Sequence, residues 1–246
     1  MTFKSVLVRI GLAMLGLVAP LFALADDIHM LSGLKKPPYI VQEQVSGIEL
    51  DIIKAAFATQ NINVNFIHMP LGRILNGYTS MKAEGVTLAP AEFQENNIVL
   101  STPYISYQNV VVSLKENELH VENLAALQGK RVAAFQLASS LLGEEYRESI
   151  AACKHYVEVA DQEKQIRLLF EQKVDALVID KNIFYYYWHN QTDGIFKKDV
   201  ELSHIFPERR YRAGFRNQQL VDIFNSGLSQ IIASGQYQNI IEHYRG

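Results

Sequence analysis

The hydrophobic pattern beyond residue 28 switches repeatedly between two periods. Residues 29–34 form a short apolar run of strand type, and within residues 48–59 Leu50, Ile53 and Phe57 recur on one helical face. Residues 61–66 then set Ile62, Val64 and Phe66 against polar neighbours, the period of a half-buried strand. Strand, helix, strand is the parallel α/β unit. Residues 71–82 read as a second helix and 85–89 as a short buried strand. Residues 98–104 lead into a β-branched run, 109–114, that is suited to crossing from one body to another.

After a polar stretch, 115–123, the pattern restarts. A strand is expected at 131–135, a helix opening near Ser139 and Ser140, an extended piece at 157–159, and a helix at 162–172 with Ile166, Leu169 and Phe170 on one side. Residues 176–179 form a fully apolar strand with Asp180 at its carboxyl end, where open α/β sheets bind ligands. The aromatic run 184–188 points all round a helix and reads as packing. A loop-like stretch, 190–199, precedes a strand at 211–215. Leu220, Ile223, Phe224, Leu228, Ile231 and Ile232 define an amphipathic helix that ends at Gly235, and a last short helix carries Tyr237, Ile240, Ile241 and Tyr244. The α/β pattern thus occurs twice around a break near residues 105–115, which predicts two lobes.

Composition narrows the setting. Lys4 and Arg9 precede an apolar run, residues 10–24, and Ala23-Leu24-Ala25 stands before Asp26-Asp27. That is the organisation of a secretory signal peptide, so residues 1–25 are expected to be removed and the chain to act in the periplasm. Cleavage takes the formal net charge from −3 to −5, which offers no footprint for nucleic acid. Cys153 is the single cysteine, so no intrachain disulfide is possible and packed cores must hold the fold. The seven histidines are dispersed, with no pair at zinc-ligand spacing, and no Walker loop, Gly-x-Ser-x-Gly or Gly-x-Gly-x-x-Gly occurs. No cofactor is expected, and no metal.

One stretch stands out for binding. Lys36-Pro37-Pro38-Tyr39 is followed by Gly47-Ile48-Glu49-Leu50-Asp51, so a rigid turn and a helix start gather backbone donors and an aromatic at one edge. With Ser101-Thr102-Pro103-Tyr104, the run from Leu127 to Val132, the run from Val174 to Asp180 and Gly235-Gln236-Tyr237, it resembles the bacterial extracellular solute-binding proteins of family 3, the polar amino-acid class. The matches cover nearly all of the chain beyond the signal in the family's order. The resemblance implies an α/β, two-lobed, type II periplasmic-binding-protein-like fold with a two-stranded hinge. Lobe 1 is expected at residues 26–107 plus 212–246 and lobe 2 at 108–211. It also implies a monomer that closes on a small-molecule solute and presents it to an inner-membrane permease of the ABC type, or alternatively to a sensor. A dehydratase-like enzyme on this fold, using Glu92 or Asp180, is a further alternative; no catalytic residue is expected.

Departures from the family pattern bear on the ligand. Where the resemblance leads one to expect Thr-x-x-Arg, the chain has Ala91-Glu92-Phe93-Gln94, so Gln94 replaces the guanidinium that grips a ligand carboxylate. Arg73 is the nearest substitute cation, or else a solvated surface charge. Leu137-Ala138 stands in place of a Gly-Thr pair, with Ser139 just beyond, either capping a helix or presenting an N–H to an anion. Asp180 matches the acid that holds a ligand ammonium, and also suits a helix N-cap. Tyr39 either lines the cleft or packs beneath the Pro-Pro turn. Lys36 replaces an aromatic commonly found before the prolines. The five candidate ligand-binding residues are therefore Tyr39, Arg73, Gln94, Ser139 and Asp180, and the expected solute is small, polar and amine-bearing. Replacing Asp180 with alanine is expected to remove the ligand's effect on melting while leaving the melting temperature without ligand nearly unchanged.

Overall fold

A computed structural model describes residues 27–89, 97–190, 194 and 197–245. The expected signal-peptide segment 1–25 and the Gln94 position lie outside the described residues, as do residues 191–193, 195 and 196 of the stretch 190–199 that the sequence assigns to a loop. The first part of the chain supplies β1 (Asp27–Ser32), α1 (Ile48–Ala58), β2 (Asn63–His68), α2 (Ile74–Met81), β3 (Gly85–Ala89) and β4 (Val99–Tyr107). A middle part follows with β5 (Asn109–Leu114), β6 (Arg131–Phe135), α3 (Ala138–Leu141), α4 (Glu144–Ala151), β7 (His155–Val159), α5 (Gln162–Phe170), β8 (Ala176–Asp180), α6 (Lys181–Asn190) and β9 (Val200–Ser203). The chain then returns through β10 (Arg209–Phe215), α7 (Gln218–Ala233) and α8 (Gln236–Arg245).

Two five-stranded sheets result, in the orders β2-β1-β3-β10-β4 and β7-β6-β8-β5-β9. In the first, β1 runs parallel to β2 and β3 while β10 is antiparallel to β3 and β4. In the second, β6 is parallel to β7 and β8, and β5 is antiparallel to β8 and β9. Only Gln108 separates β4 from β5, and a short connection joins β9 to β10, so two strand passages link the sheets.

Each sheet buries both faces, which explains strands that read as continuous apolar runs. In β8, Leu177 and Ile179 face one core with Ile166, Leu169 and Phe184, while Ala176 and Val178 face another with Tyr146 and Ile150. In β1, Met30 joins Phe57, Phe215 and Phe224, and its neighbour Leu31 joins Ile74, Tyr78 and Val86.

Some boundaries differ from the sequence expectation. A 3-10 turn, Leu71–Arg73, takes the first residues of the expected second helix, and α2 begins only at Ile74. β4 continues through Pro103 as a nine-residue strand, because its pairing with β10 shifts register beside that proline. α4 was not expected: Glu144, Glu145, Arg147 and Glu148 dilute its apolar stripe to Tyr146 and Ile150. β9 also went unforeseen, a four-residue strand with one fully buried position.

Candidate functional site

A cleft of about 880 Å³, its open mouth included, lies between the sheets. The first sheet's side contributes Gly33 to Lys36, Pro70 and Leu71 from loops and Leu88 from β3; the strand passages contribute Tyr107, Asn109 and Tyr211; the second sheet's side contributes Phe135, Gln136, Gln162, Asp180 and Ile183. Apart from Asn109 at the start of β5 and Tyr211 within β10, these residues come from the carboxyl ends of strands and the segments that follow, where an α/β sheet leaves polar backbone and side chains exposed together.

Asp180 ends β8 and starts α6. It is 3 % exposed, and its two oxygens are occupied by backbone donors: Oδ1 accepts from Asn182 N at 2.9 Å and Ile183 N at 3.2 Å, and Oδ2 from Gln108 N at 2.9 Å. Two of these bonds cap α6 and the third fixes the residue between β4 and β5. Lys181 reinforces that point, its N–H reaching the Gln108 carbonyl at 3.0 Å and its ammonium the Gln108 amide oxygen at 2.7 Å. Burial pushes the Asp180 carboxyl up to about 6, against the opposing pull of the Gln108, Ile183 and Asn182 N–H groups and the Tyr39 hydroxyl. The expectation that Asp180→Ala leaves the melting temperature without ligand nearly unchanged is therefore corrected, since the change removes the acceptor of three backbone donors, the Ile183 N–H among them buried.

Tyr39 sits beneath the cleft rather than in its lining. It is 2 % exposed and its ring stacks on Tyr107 with centroids 4.0 Å apart. Its hydroxyl accepts from Asn182 Nδ2 at 2.8 Å, so it ties the first sheet's side to the start of α6. The backbone donors expected at the start of α1 are committed too: Ile48 N–H reaches the Pro38 carbonyl at 3.0 Å and Glu49 N–H the Tyr39 carbonyl at 3.1 Å. Gly47 makes this closure possible. It has φ +125°, and a Cβ there would lie 2.3 Å from the Tyr39 carbonyl oxygen.

Lys36 is a lining residue that reasoning on the ligand site passed over as a lost aromatic. Its ammonium lies 2.8 Å from Glu49 Oε2 and 2.8 Å from the Tyr107 hydroxyl, and 4.8 Å from the centre of the Tyr107 ring. Tyr107 in turn donates to Glu49 Oε2 at 2.6 Å. Burial first, and the Glu49 charge second, hold the Tyr107 phenol well above its usual range, so it remains a donor. Glu49 is fully buried, and its Oε1 has no hydrogen-bond partner among the described residues. The one local mark of this contact in the sequence is Gly47, at the turn that folds residues 36 and 49 together.

The other candidates fall elsewhere. Arg73 is exposed at the end of the 3-10 turn and is absent from the cleft lining. Ser139 also stands outside the lining. Its N–H donates to Glu158 Oε1 at 2.8 Å, Leu137 N–H donates to Glu158 Oε2 at 2.7 Å, and Tyr156 donates to the same carboxylate at 2.9 Å. Burial raises the Glu158 carboxyl, but the bonds from Ser139, Tyr156 and Leu137 outweigh it and hold the group below its usual range. Leu137, in the left-handed region at φ 68°, rather than a serine, occupies the N-cap position of α3. The structure thus brings Asp180 and Tyr39 together at the cleft floor and leaves Arg73 and Ser139 apart from them. It adds Lys36, Tyr107, Asn109, Gln136, Gln162 and Tyr211 to the lining.

This fold and cleft define a class. The chain matches the model of the bacterial extracellular solute-binding proteins, family 3, over residues 28–246, and it belongs to that family. A relative in Campylobacter jejuni, described as a probable histidine-binding protein, is 22% identical over 213 residues, 82% of this chain and 77% of that protein. Among solved structures, an ancestral arginine-binding protein bound to arginine superposes with a TM-score of 0.75 at 21% identity, covering 89% of this chain and 98% of the other. A histidine kinase sensor domain with similarity to periplasmic binding proteins gives 0.76 at 18% identity, covering 90% and 97%. The fold is the type II periplasmic-binding-protein architecture expected from sequence.

Proposed function

We propose that this protein is a periplasmic receptor that captures a small amine-bearing solute in the cleft between its lobes, closes on it about the two strand passages, and presents it as a monomer to an inner-membrane ABC-type permease. The observation that carries the reading is the cleft itself, lined from both sheets and from the strands joining them, so that one solute touches both lobes. The secretory-signal pattern expected at residues 1–25 and membership of an extracellular binding family support this setting.

The amine end follows from Asp180, the one acidic residue in the lining among the described residues. Its charge is compensated only by neutral hydrogen-bond donors, so an ammonium in the cleft supplies the missing counter-charge. A ligand carboxylate has no arginine to meet among the described lining residues. The rest of the lining is largely apolar, with Leu34, Leu71, Ile74, Leu88, Phe135 and Leu141, which suits a solute with a hydrocarbon or aromatic body. Nothing in this reading requires bond making or breaking.

The test is a thermal-shift screen of the mature chain with amines, polyamines, amino acids and organic acids, because a ligand that binds the folded state raises its melting temperature by mass action. Amines are expected to give the shifts. Stabilisation by amine-free organic acids alone overturns the amine assignment.

A further inference from the structure

We infer that the Lys36–Glu49 pair makes the cleft selective for a neutral oxygen acceptor on the solute, a carboxamide-type group, in preference to a carboxylate. The inference rests on the amine reading above, which supplies the other end of the solute.

Lys36 lines the cleft, and its ammonium is engaged by two buried partners. An ammonium has three donors. Two are directed at Glu49 Oε2 and the Tyr107 hydroxyl, each at 2.8 Å, and the side chain keeps 14% of its surface exposed. These contacts leave one N–H over, which the inference assigns to the solute. Lys35, the other cationic lining residue among those described, is paired with Glu43 at 3.0 Å and stands at the exposed side.

The charge of Lys36 is already balanced. Glu49 is fully buried, and Lys36 is its only ionic partner among the described residues. A solute carboxylate at the free N–H places two carboxylates around one ammonium in a poorly hydrated site, where like charges repel more strongly than in water. A carboxamide or other carbonyl accepts the same hydrogen bond without adding charge. The Tyr107 phenol cannot relieve the cluster either, since it donates to Glu49 and accepts from Lys36. Since Tyr107 also stacks on Tyr39, whose hydroxyl meets the start of α6 beside Asp180, the acceptor and amine ends belong to one connected floor.

The test uses isothermal titration calorimetry on the mature full chain with three matched probes, L-phenylalaninamide, L-phenylalanine and phenethylamine, and with amine-free hydrocinnamic acid as a control. The wild type is expected to bind the amide about tenfold or more tighter than the other two. Glu49→Gln removes the competing anion, so the amide-to-acid preference should fall about tenfold or more. Lys36→Met alone strands a buried carboxylate, so the cation is removed in the double variant K36M/E49Q, in which the amide should bind no tighter than phenethylamine. Each comparison is a ratio within one variant, which cancels any general loss of folding. A wild type that prefers phenylalanine, a ratio unchanged in E49Q, or no binding by any probe overturns the inference. Phenethylamine binding as tightly as the amide overturns it but leaves the amine reading standing, whereas tighter binding of amine-free hydrocinnamic acid removes both.

Discussion

At the scale of single residues, Asp180 carries two duties that pull against each other. As the N-cap of α6 and the acceptor for Gln108 N–H it stabilises the fold, yet burial raises its carboxyl to about 6, above its ordinary value of 3.8. Between about pH 4 and 6 the folded carboxyl holds a proton that the unfolded chain has released, so this group's contribution to stability falls as pH rises through that window. Above the folded value both states are ionised and the penalty is constant. From pH 5 to pH 7 the wild type should therefore lose about 1 kcal/mol through this group. Asp180→Ala should lack that slope and be less stable at pH 7 by about 1–2 kcal/mol through the lost cap. Urea unfolding of both proteins at the two pH values measures both effects. Equal slopes would show that Asp180 is solvated in the folded chain. Glu158 and Asp175 do not confuse the window, because their carboxyls are held below the usual range and lose their contribution only at lower pH.

At the scale of elements, periodicity located what it physically encodes. The faces of α1, α5 and α7 and the apolar run of β8 were legible because burial on a regular element imposes a spacing, and Asp180 was legible because it ends such a run. The Lys36–Glu49 contact was not, since it depends on a turn folding residues 36 and 49 together, with Gly47 as the only local mark. The occupied donors of Leu137 and Ser139 were equally hidden, because their acceptor, Glu158, comes from a neighbouring strand. Gly227 is a further case: it lies unremarked within α7, yet a Cβ there would stand 2.0 Å from the Ala56 carbonyl oxygen of α1. The two helices meet backbone to backbone at that point. Gly227→Ala must push them apart and should cost about 1–3 kcal/mol despite its gain in helix propensity. A thermal melt that is unchanged or raised would mean that α1 and α7 can slide at no cost.

At the scale of the whole molecule, the lobes are joined by more than the two strand passages. Gly72 N–H reaches Gln136 Oε1 at 3.4 Å, and the Arg209 guanidinium, at the start of β10 in the first sheet, donates to the carbonyl of Leu141, a cleft-lining residue on the second sheet's side. Neither contact packs a core, so both can break without unfolding either sheet. Hydrogen bonds of this kind contribute about 0.5–1.5 kcal/mol each. Losing the pair in Q136A/R209A should therefore shift the balance between closed and open forms about tenfold toward open. On the closure proposed above, a solute that touches both lobes binds the closed form, so its affinity should fall by at least a similar factor, Gln136 also lining the cleft, with the unfolding free energy of the chain nearly unchanged. Small-angle scattering of the double variant should show a larger radius of gyration than the wild type, and saturation with the amine giving the greatest thermal shift should restore the compact profile. If scattering and affinity both match the wild type, these two contacts do not govern closure, and the hold on Gln108 by Asp180 and Lys181 becomes the element that sets the angle between the lobes.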